Sequence, residues 1–246
     1  MPKFFEARDG ARLAYRELGD GRPVVLIHGF VSTAVVNWIR YGHAEKLAAR
    51  GFRVIMPDLR GHGDSAKSHD AAAYPADVLT ADGLALVETL ELVDYDLGGY
   101  SLGARTAVRM LARGAAPRRA IIAGMGLEGI VDSQERREFF RRVLMRPGTF
   151  PHASAEWKAE AFLKSVGGDP VALLAVLDSA VDTPRAVLGR IDIPVLVAAG
   201  AEDVDNGSAA ALAQAFARGR HAELPGNHMS AVARPELGTA MVDFLS

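Results

Sequence analysis

The stretch Gly99-Tyr100-Ser101-Leu102-Gly103 decides how the rest of this 246-residue sequence is interpreted. It matches the pattern G-x-S-x-G, ends a strand predicted at 95–100 and opens a helix predicted at 102–113. A serine at such a turn adopts a strained backbone that pushes its hydroxyl out of the sheet. Glycines two positions before and after the serine let the strand and the helix approach closely. Ser101 is therefore predicted to be a nucleophile.

Strand and helix signals alternate on both sides of this turn. Short apolar runs rich in β-branched residues predict buried strands at 24–27, 52–56, 120–123 and 194–199. Helical patterns separate or follow them, at 37–50, 74–92, 209–217 and in the last segment up to 245. A hairpin over 4–17 and a short strand at 221–224 complete the series. This order predicts an α/β fold with a mostly parallel, doubly wound sheet.

The alternation stops between residues 127 and 187. Only helical segments are predicted there, and several carry arginine-rich or aromatic faces. The interpretation is one α/β core, formed by 1–126 and 188–246, with a small helical cap at 127–187 inserted after the sixth strand.

A base and an acid that would activate Ser101 are expected further along the chain. His228 follows a short strand, in a loop before the last helix, where a histidine is anchored but able to pass a proton. Asp203 follows the strand predicted at 194–199, where a carboxylate would orient the imidazole. Glu202 and Asp205 are competing candidates for the acid, with Asp205 next after Asp203.

The loop after the strand at 24–27 is predicted to complete the site. An oxyanion needs two preorganised N–H donors, and we expect them from the backbone of Phe30 and Leu102. His28 lies before Ser101 in the sequence, which does not fit the order serine, acid, histidine. A structural role that connects loop backbones is therefore predicted for His28.

A second polar loop, at 58–65, contains two glycines and follows a strand. It lacks the Gly-Lys-Ser/Thr of a phosphate-binding loop. A tight structural loop is predicted instead, in which Asp58 and Arg60 pair with neighbours and His62 serves the loop.

Together these motifs resemble the α/β-hydrolase superfamily over nearly the whole chain. The matching segments are 28–30, 58–65, 99–103, 200–203 and His228. Because dehalogenases and epoxide hydrolases of this fold use aspartate at the position of Ser101, the resemblance is to the serine branch. It implies carboxylesterase-like cleavage of a small, largely apolar ester through an acyl-enzyme, with no cofactor and no metal. C–C bond hydrolase, lactonase and perhydrolase activities use the same three residues, and a ligand receptor without turnover is an alternative of another class.

Several residues depart from the family pattern or have two interpretations. Tyr100 stands where many members have histidine and is expected to point away from the reaction, and Asn227 replaces a small residue before the histidine.

Aromatic side chains of the cap are expected to serve packing more than an acyl pocket: Phe139, Phe140, Phe150, Trp157 and Phe162. A run of arginines is expected to form a solvated face more than a carboxylate site: Arg136, Arg137, Arg141 and Arg142.

Composition excludes several classes of function. The formal net charge is −2 and the basic residues are scattered, so neither nucleic acid nor an anionic membrane is an expected partner. The sequence contains no cysteine, which excludes disulfides and a thiolate nucleophile. No long apolar segment opens the chain, so no secretory leader is apparent and a cytoplasmic location is expected. The partner expected is a small-molecule substrate, and the oligomeric state is left open.

Overall fold

The computed structural model describes residues 1–246 and contains one sheet of eight strands, in the order β1-β2-β4-β3-β5-β6-β7-β8. The strands are β1 (Lys3–Glu6), β2 (Arg12–Leu18), β3 (Arg22–Ile27), β4 (Phe52–Pro57), β5 (Asp96–Tyr100), β6 (Ala120–Ala123), β7 (Val195–Gly200) and β8 (Gly219–Leu224). All pairs among β3 to β8 are parallel, and β2 is antiparallel to both β1 and β4. The predicted α/β fold with a mostly parallel sheet is confirmed.

Eleven α-helices accompany this sheet. They are α1 (His43–Ala48), α2 (Val78–Thr89), α3 (Leu102–Ala112), α4 (Leu127–Val131), α5 (Gln134–Met145), α6 (Ala155–Ser165), α7 (Pro170–Asp178), α8 (Arg185–Leu188), α9 (Ala209–Ala215), α10 (His228–Ala231) and α11 (Pro235–Leu245). Val25 and Ile27 belong to a buried cluster with α2 and α3, whereas Val24 and Leu26 belong to one with α1 and α11. Because successive side chains of a strand point to opposite faces, helices cover both faces of the sheet.

Two helices are shorter than the sequence predicts. The helix predicted at 37–50 is split into a π-helical turn, Val35–Ile39, and α1, with Gly42 left-handed at the break (φ 75°). The helix predicted at 74–92 begins only at Val78, because Asp77 has a φ of 64° and cannot continue a right-handed helix backward. The Asp77 carboxylate instead accepts hydrogen bonds from Arg109.

Helices α4 to α8 fill the segment between β6 and β7, where the sequence predicts the cap. A small buried cluster joins Val31, in the loop after β3, to side chains of α5, α6 and α7, namely Leu144, Leu163, Leu173 and Leu177. Phe30 and Phe140 also meet edge to face, with ring centroids 4.8 Å apart. These contacts place the helical segment over the loop that follows β3.

The loop at 58–65 is held by buried ion pairs, as the sequence predicts. Asp58 accepts hydrogen bonds from Arg16 and from the backbone N–H groups of Ala34 and Asp64. The Arg60 guanidinium, whose side chain is 3% exposed, pairs with Asp9 at 2.6 Å and Asp82 at 2.8 Å. Both polar ends of the loop are therefore fixed to the core.

Replacing Arg60 with methionine is expected to lower the free energy of unfolding by about 3–5 kcal/mol. The Asp82 carboxylate is 7% exposed and has no other cation, so the substitution leaves a buried charge without a partner. Urea denaturation measures the loss. Arg8→Met, which removes only the exposed pair with Glu88, is the control and should change stability by less than about 0.5 kcal/mol. Equal effects of the two substitutions would contradict the buried-pair account.

Candidate active site

Ser101 lies at a sharp turn between β5 and α3, with φ 54° and ψ −115°. The turn is tight because glycines flank it. A Cβ atom on Gly99 would lie 2.2 Å from the carbonyl carbon of Gly103, and one on Gly103 would lie 2.0 Å from the carbonyl oxygen of Ile27. Side chains are therefore excluded at both positions, and the serine is held in a conformation that non-glycine residues rarely adopt.

The structure brings Ser101, Asp203 and His228 together. His228 Nε2 lies 3.0 Å from Ser101 Oγ, and His228 Nδ1 lies 2.8 Å from Asp203 Oδ2. The His228 and Asp203 side chains are 8% and 2% exposed. With Nδ1 donating to the carboxylate, the lone pair of Nε2 faces the serine hydroxyl, which is the orientation that a general base requires.

His228 is the first residue of the short helix α10, whereas the sequence predicts a loop. Asn227 caps this helix by accepting hydrogen bonds from the N–H groups of Met229 and Ser230. The Ser230 hydroxyl in turn accepts a hydrogen bond from the Asn227 N–H at 2.9 Å. This capping box fixes the backbone at His228 and explains the side chain at position 227, which the family pattern does not.

Tyr100 holds the backbone of His228, a contact that the sequence interpretation missed. Its hydroxyl donates a hydrogen bond of 2.6 Å to the His228 carbonyl oxygen, and the two ring centroids lie 5.5 Å apart. Burial, aided by the charge of Asp203, raises the pKa of Tyr100, so the hydroxyl stays protonated. No local sequence pattern indicates this contact, because it joins residues distant in the chain.

Asp203 and Asp205 have different partners. While Asp203 binds His228, the Asp205 carboxylate pairs with Arg136 of α5 at 3.0 Å. Ligand atoms of Asp203, Asp205 and His228 lie within 4.8 Å of one another, a spacing that a metal ion would accept. Each of the three already has a partner within the chain, so the arrangement is a hydrogen-bonded network in its own right.

The backbone N–H groups of Phe30 and Leu102 donate to no acceptor in the chain, and both residues line a cavity beside Ser101. The loop that carries Phe30 is held in place by a hydrogen bond of 2.7 Å from Gly29 N–H to Asn37 Oδ1. An oxyanion needs two preorganised N–H donors, and these two remain unpaired in residues that line the cavity beside Ser101.

His28 and His62 connect loop backbones, as the sequence predicts. His28 Nε2 accepts a hydrogen bond from Leu59 N–H at 2.9 Å, and Nδ1 lies 2.8 Å from the Gly29 carbonyl oxygen. His62 Nδ1 lies 3.0 Å from the Arg60 carbonyl oxygen. Burial lowers the pKa of His28 and lowers that of His62 to about 3, so both rings are neutral at physiological pH.

A cleft with two lobes opens at Ser101. The larger lobe, a cavity of about 1100 Å³ that is open to solvent, has a mostly apolar lining with three of the cap aromatics, Phe139, Phe140 and Phe162. The smaller lobe, of about 440 Å³, extends toward Leu102 and Met125. The lobes share Phe30, Ser101, Arg136 and Phe140, so the serine hydroxyl is accessible from both.

The arginine run of α5 is divided between the cleft and the surface. Arg136 and Arg137 line the cleft, which corrects the expectation of a solvated face, whereas Arg141 and Arg142 line neither lobe. Arg105 also lines the smaller lobe and was missed by the sequence interpretation. Its only signal in the sequence is its closeness to Ser101, four positions away in the first turns of α3.

No helix in the structure combines the length and the apolar character needed to cross a membrane.

Comparisons with known proteins agree with the fold. The model of the alpha/beta hydrolase fold family matches residues 22–125. A putative non-heme bromoperoxidase, BpoC, of Mycobacterium tuberculosis is 30% identical over 264 aligned positions, which cover 95% of this chain and 97% of that protein. The structure of a thermophilic esterase from Thermogutta terrifontis superposes with a TM-score of 0.80 at 25% identity, covering 100% of this chain and 98% of that one.

Other curated relatives match over part of their length only. The AB hydrolase superfamily protein YisY of Bacillus subtilis is 32% identical over 114 residues, and the chain spans 40% of it. An epoxide hydrolase of Caballeronia sordidicola is 36% identical over 101 residues, which cover 30% of that protein. The chain has the tight strand-to-helix turn at Ser101 and the mostly parallel sheet, and it aligns with BpoC over nearly its whole length. It belongs to the α/β-hydrolase fold family.

Proposed function

We propose that this chain is a serine hydrolase, carboxylesterase-like, that cleaves small, largely apolar esters through an acyl-enzyme intermediate. The observation that carries this proposal is the hydrogen-bonded series Ser101–His228–Asp203, with separations of 3.0 and 2.8 Å, at the base of the cleft. A pure binding protein has no chemical need for this arrangement.

In the proposed cycle, Ser101 Oγ attacks the ester carbonyl carbon while His228 Nε2 accepts its proton. Asp203 stabilises the imidazolium that forms, and the N–H groups of Phe30 and Leu102 bind the oxyanion. His228 then protonates the leaving alcohol, which departs and leaves the acyl group on Ser101. Water, deprotonated by the same imidazole, attacks the acyl-enzyme and restores the serine. No step in this cycle requires a metal or an organic cofactor.

We also propose that residues 127–187 act as a cap. Phe139, Phe140 and Phe162 of this segment face the core residues Phe30 and Ser101 across the larger lobe. Apolar walls on one side and a polar base on the other suit a small ester with an apolar body. A small-molecule substrate fits these features.

A second candidate is perhydrolysis, favoured by the similarity to a protein named as a bromoperoxidase. In this reaction hydrogen peroxide replaces water as the second nucleophile. Its oxygen attacks the acyl-enzyme carbonyl carbon, the bond to Ser101 Oγ breaks, and a peracid leaves. The same three residues serve both reactions.

Hydrolysis of p-nitrophenyl esters, from acetate to decanoate, tests the proposed function. We expect multiple turnovers, with kcat/KM falling for chains that exceed the larger lobe. Adding hydrogen peroxide and measuring peracid separates perhydrolysis from hydrolysis. Absence of turnover with every ester would contradict the carboxylesterase proposal.

Replacing Tyr100 with phenylalanine is expected to lower kcat about tenfold with little change in KM. Loss of the hydrogen bond to the His228 carbonyl frees the backbone that positions the imidazole, and one such bond contributes about 1–1.5 kcal/mol. Tyr95→Phe, a buried tyrosine just before the same strand, is the matched control and should keep wild-type kcat. If both variants lose stability but keep kcat, Tyr100 has no positioning role.

A further inference from the structure

The smaller lobe of the cleft is lined by three arginines, Arg105, Arg136 and Arg137, and by no aspartate or glutamate. Its remaining lining is apolar apart from Ser101 and Asn206. A concentration of guanidinium groups beside a candidate nucleophile is a feature that hydrolysis of a neutral ester does not need.

The arginines of the lobe outnumber the carboxylates that pair with them. Arg105 and Arg137 share Asp182, at 2.7 and 3.5 Å, and Arg136 pairs with Asp205 at 3.0 Å. Three guanidinium groups therefore meet only two carboxylates within ion-pair distance.

Arg105 has two hydrogen-bond donors that no group of the chain uses. Its Nη2 donates to Asp182, while Nε and Nη1 donate to no group of the chain. The side chain is only 12% exposed, and burial lowers the pKa of the Arg105 guanidinium to about 10, so it stays charged at neutral pH. Neither nitrogen is completely buried, so both donors are open to the lobe and an anion bound there would accept hydrogen bonds from them.

The position of Arg105 relates this anion to the reaction. The Arg105 N–H donates to the Ser101 carbonyl oxygen at 3.0 Å, so the two residues are one helical turn apart. Both residues also line the smaller lobe. A substrate with an anionic group a few carbon atoms from its ester carbonyl would reach both.

We propose that the smaller lobe binds a carboxylate of the substrate, so that the preferred substrates are carboxylate-bearing esters. This inference rests on the proposed function. A carboxylate has the opposite charge to the three arginines, and its planar shape suits the two-pronged donor geometry of a guanidinium.

The first test compares matched esters that differ by one carboxylate. On the acyl side, the pair is p-nitrophenyl pentanoate and mono-p-nitrophenyl glutarate. On the alcohol side, it is phenyl acetate and 3-acetoxybenzoate. We expect kcat/KM to favour the carboxylate ester by about tenfold to hundredfold in at least one pair. A ratio near one in both pairs, with the neutral esters hydrolysed, overturns the carboxylate site and leaves the proposed function standing.

Substitutions of the arginines test whether the preference for carboxylate esters arises in the smaller lobe. Arg137→Gln is expected to bring the ratio within about threefold of one, and Arg105→Gln to do the same if it folds. Because Arg105 is buried, the half-exposed Arg137 is the decisive position. Arg141→Gln, on the same helix but outside the cleft, is the control and should keep the wild-type ratio. An unchanged ratio in Arg137→Gln contradicts the site.

Binding without turnover separates the two proposals. Ser101→Ala protein is titrated calorimetrically with monoethyl glutarate and with ethyl pentanoate. We expect the anionic ester to bind at least about tenfold more tightly, and the added Arg137→Gln substitution to remove the difference. This result supports the site even if no ester is cleaved by the wild type, an outcome that would fail the proposed function alone. Equal affinity for the two esters, or binding of neither, overturns the site.

Discussion

Ser101→Ala protein is expected to hydrolyse p-nitrophenyl esters at least about 10⁴-fold more slowly than the wild type. Without Oγ no acyl-enzyme forms, and His228 Nε2, 3.0 Å from that atom, has no proton to accept. The oxyanion donors and the cleft remain, so a small residual rate above that in water is expected. Initial rates at saturating ester measure the loss in kcat.

Ser179→Ala is the control for this substitution. Ser179 is buried, whereas Ser101 is partly exposed, and the Ser179 hydroxyl only donates to the Val176 carbonyl oxygen and does not line the cleft. We expect wild-type kcat from this variant. More than about 1% of wild-type activity in folded Ser101→Ala protein would contradict the assignment of Ser101 as nucleophile.

Asp203→Asn is expected to lower kcat by about 10⁴-fold. The amide cannot stabilise the imidazolium, and its NH₂ group would favour the wrong tautomer of His228. Asp205→Asn, two residues away, is the matched comparison and should lower kcat by less than about tenfold, because Asp205 pairs with Arg136 and not with His228. Steady-state kinetics of both variants, with circular dichroism to establish folding, measure the difference. A larger loss in Asp205→Asn would show that Asp205 is the acid.

The sheet and the tight turn that holds Ser101 could be predicted because their signals are local. The glycines at 99 and 103 report the close approach of strand and helix directly in the sequence, and each buried strand of the parallel sheet is a short apolar run. Order along the chain then points to His228. These inferences need only neighbours within a few residues, which is where sequence patterns are most informative.

The choice between Asp203 and Asp205 could not be made from the sequence. The two carboxylates lie in one loop, and what separates them is Arg136, which reaches Asp205 from a helix far away in the chain. The same limit explains Tyr100, whose hydroxyl meets the carbonyl of His228 across the sheet. Contacts of this kind depend on how the elements pack, and no spacing rule contains them.

The arginines of the cleft could not be recognised from the sequence either. Helical spacing predicts that Arg136, Arg137 and Arg141 lie near one another, but it does not say which face of α5 meets the core. The aromatic contact between Phe30 and Phe140 settles the orientation and turns Arg136 and Arg137 toward Ser101. Arg105, buried beneath them, becomes visible as a site residue only once that helix is in place.

Covalent labelling with a fluorophosphonate tests the central claim most directly, because it detects the nucleophile without any choice of ester. The account predicts one adduct per chain by intact mass, located at Ser101 by peptide mapping, absent in Ser101→Ala and formed far more slowly in His228→Ala. No adduct on the folded wild type, or an adduct at a different residue, would contradict the account.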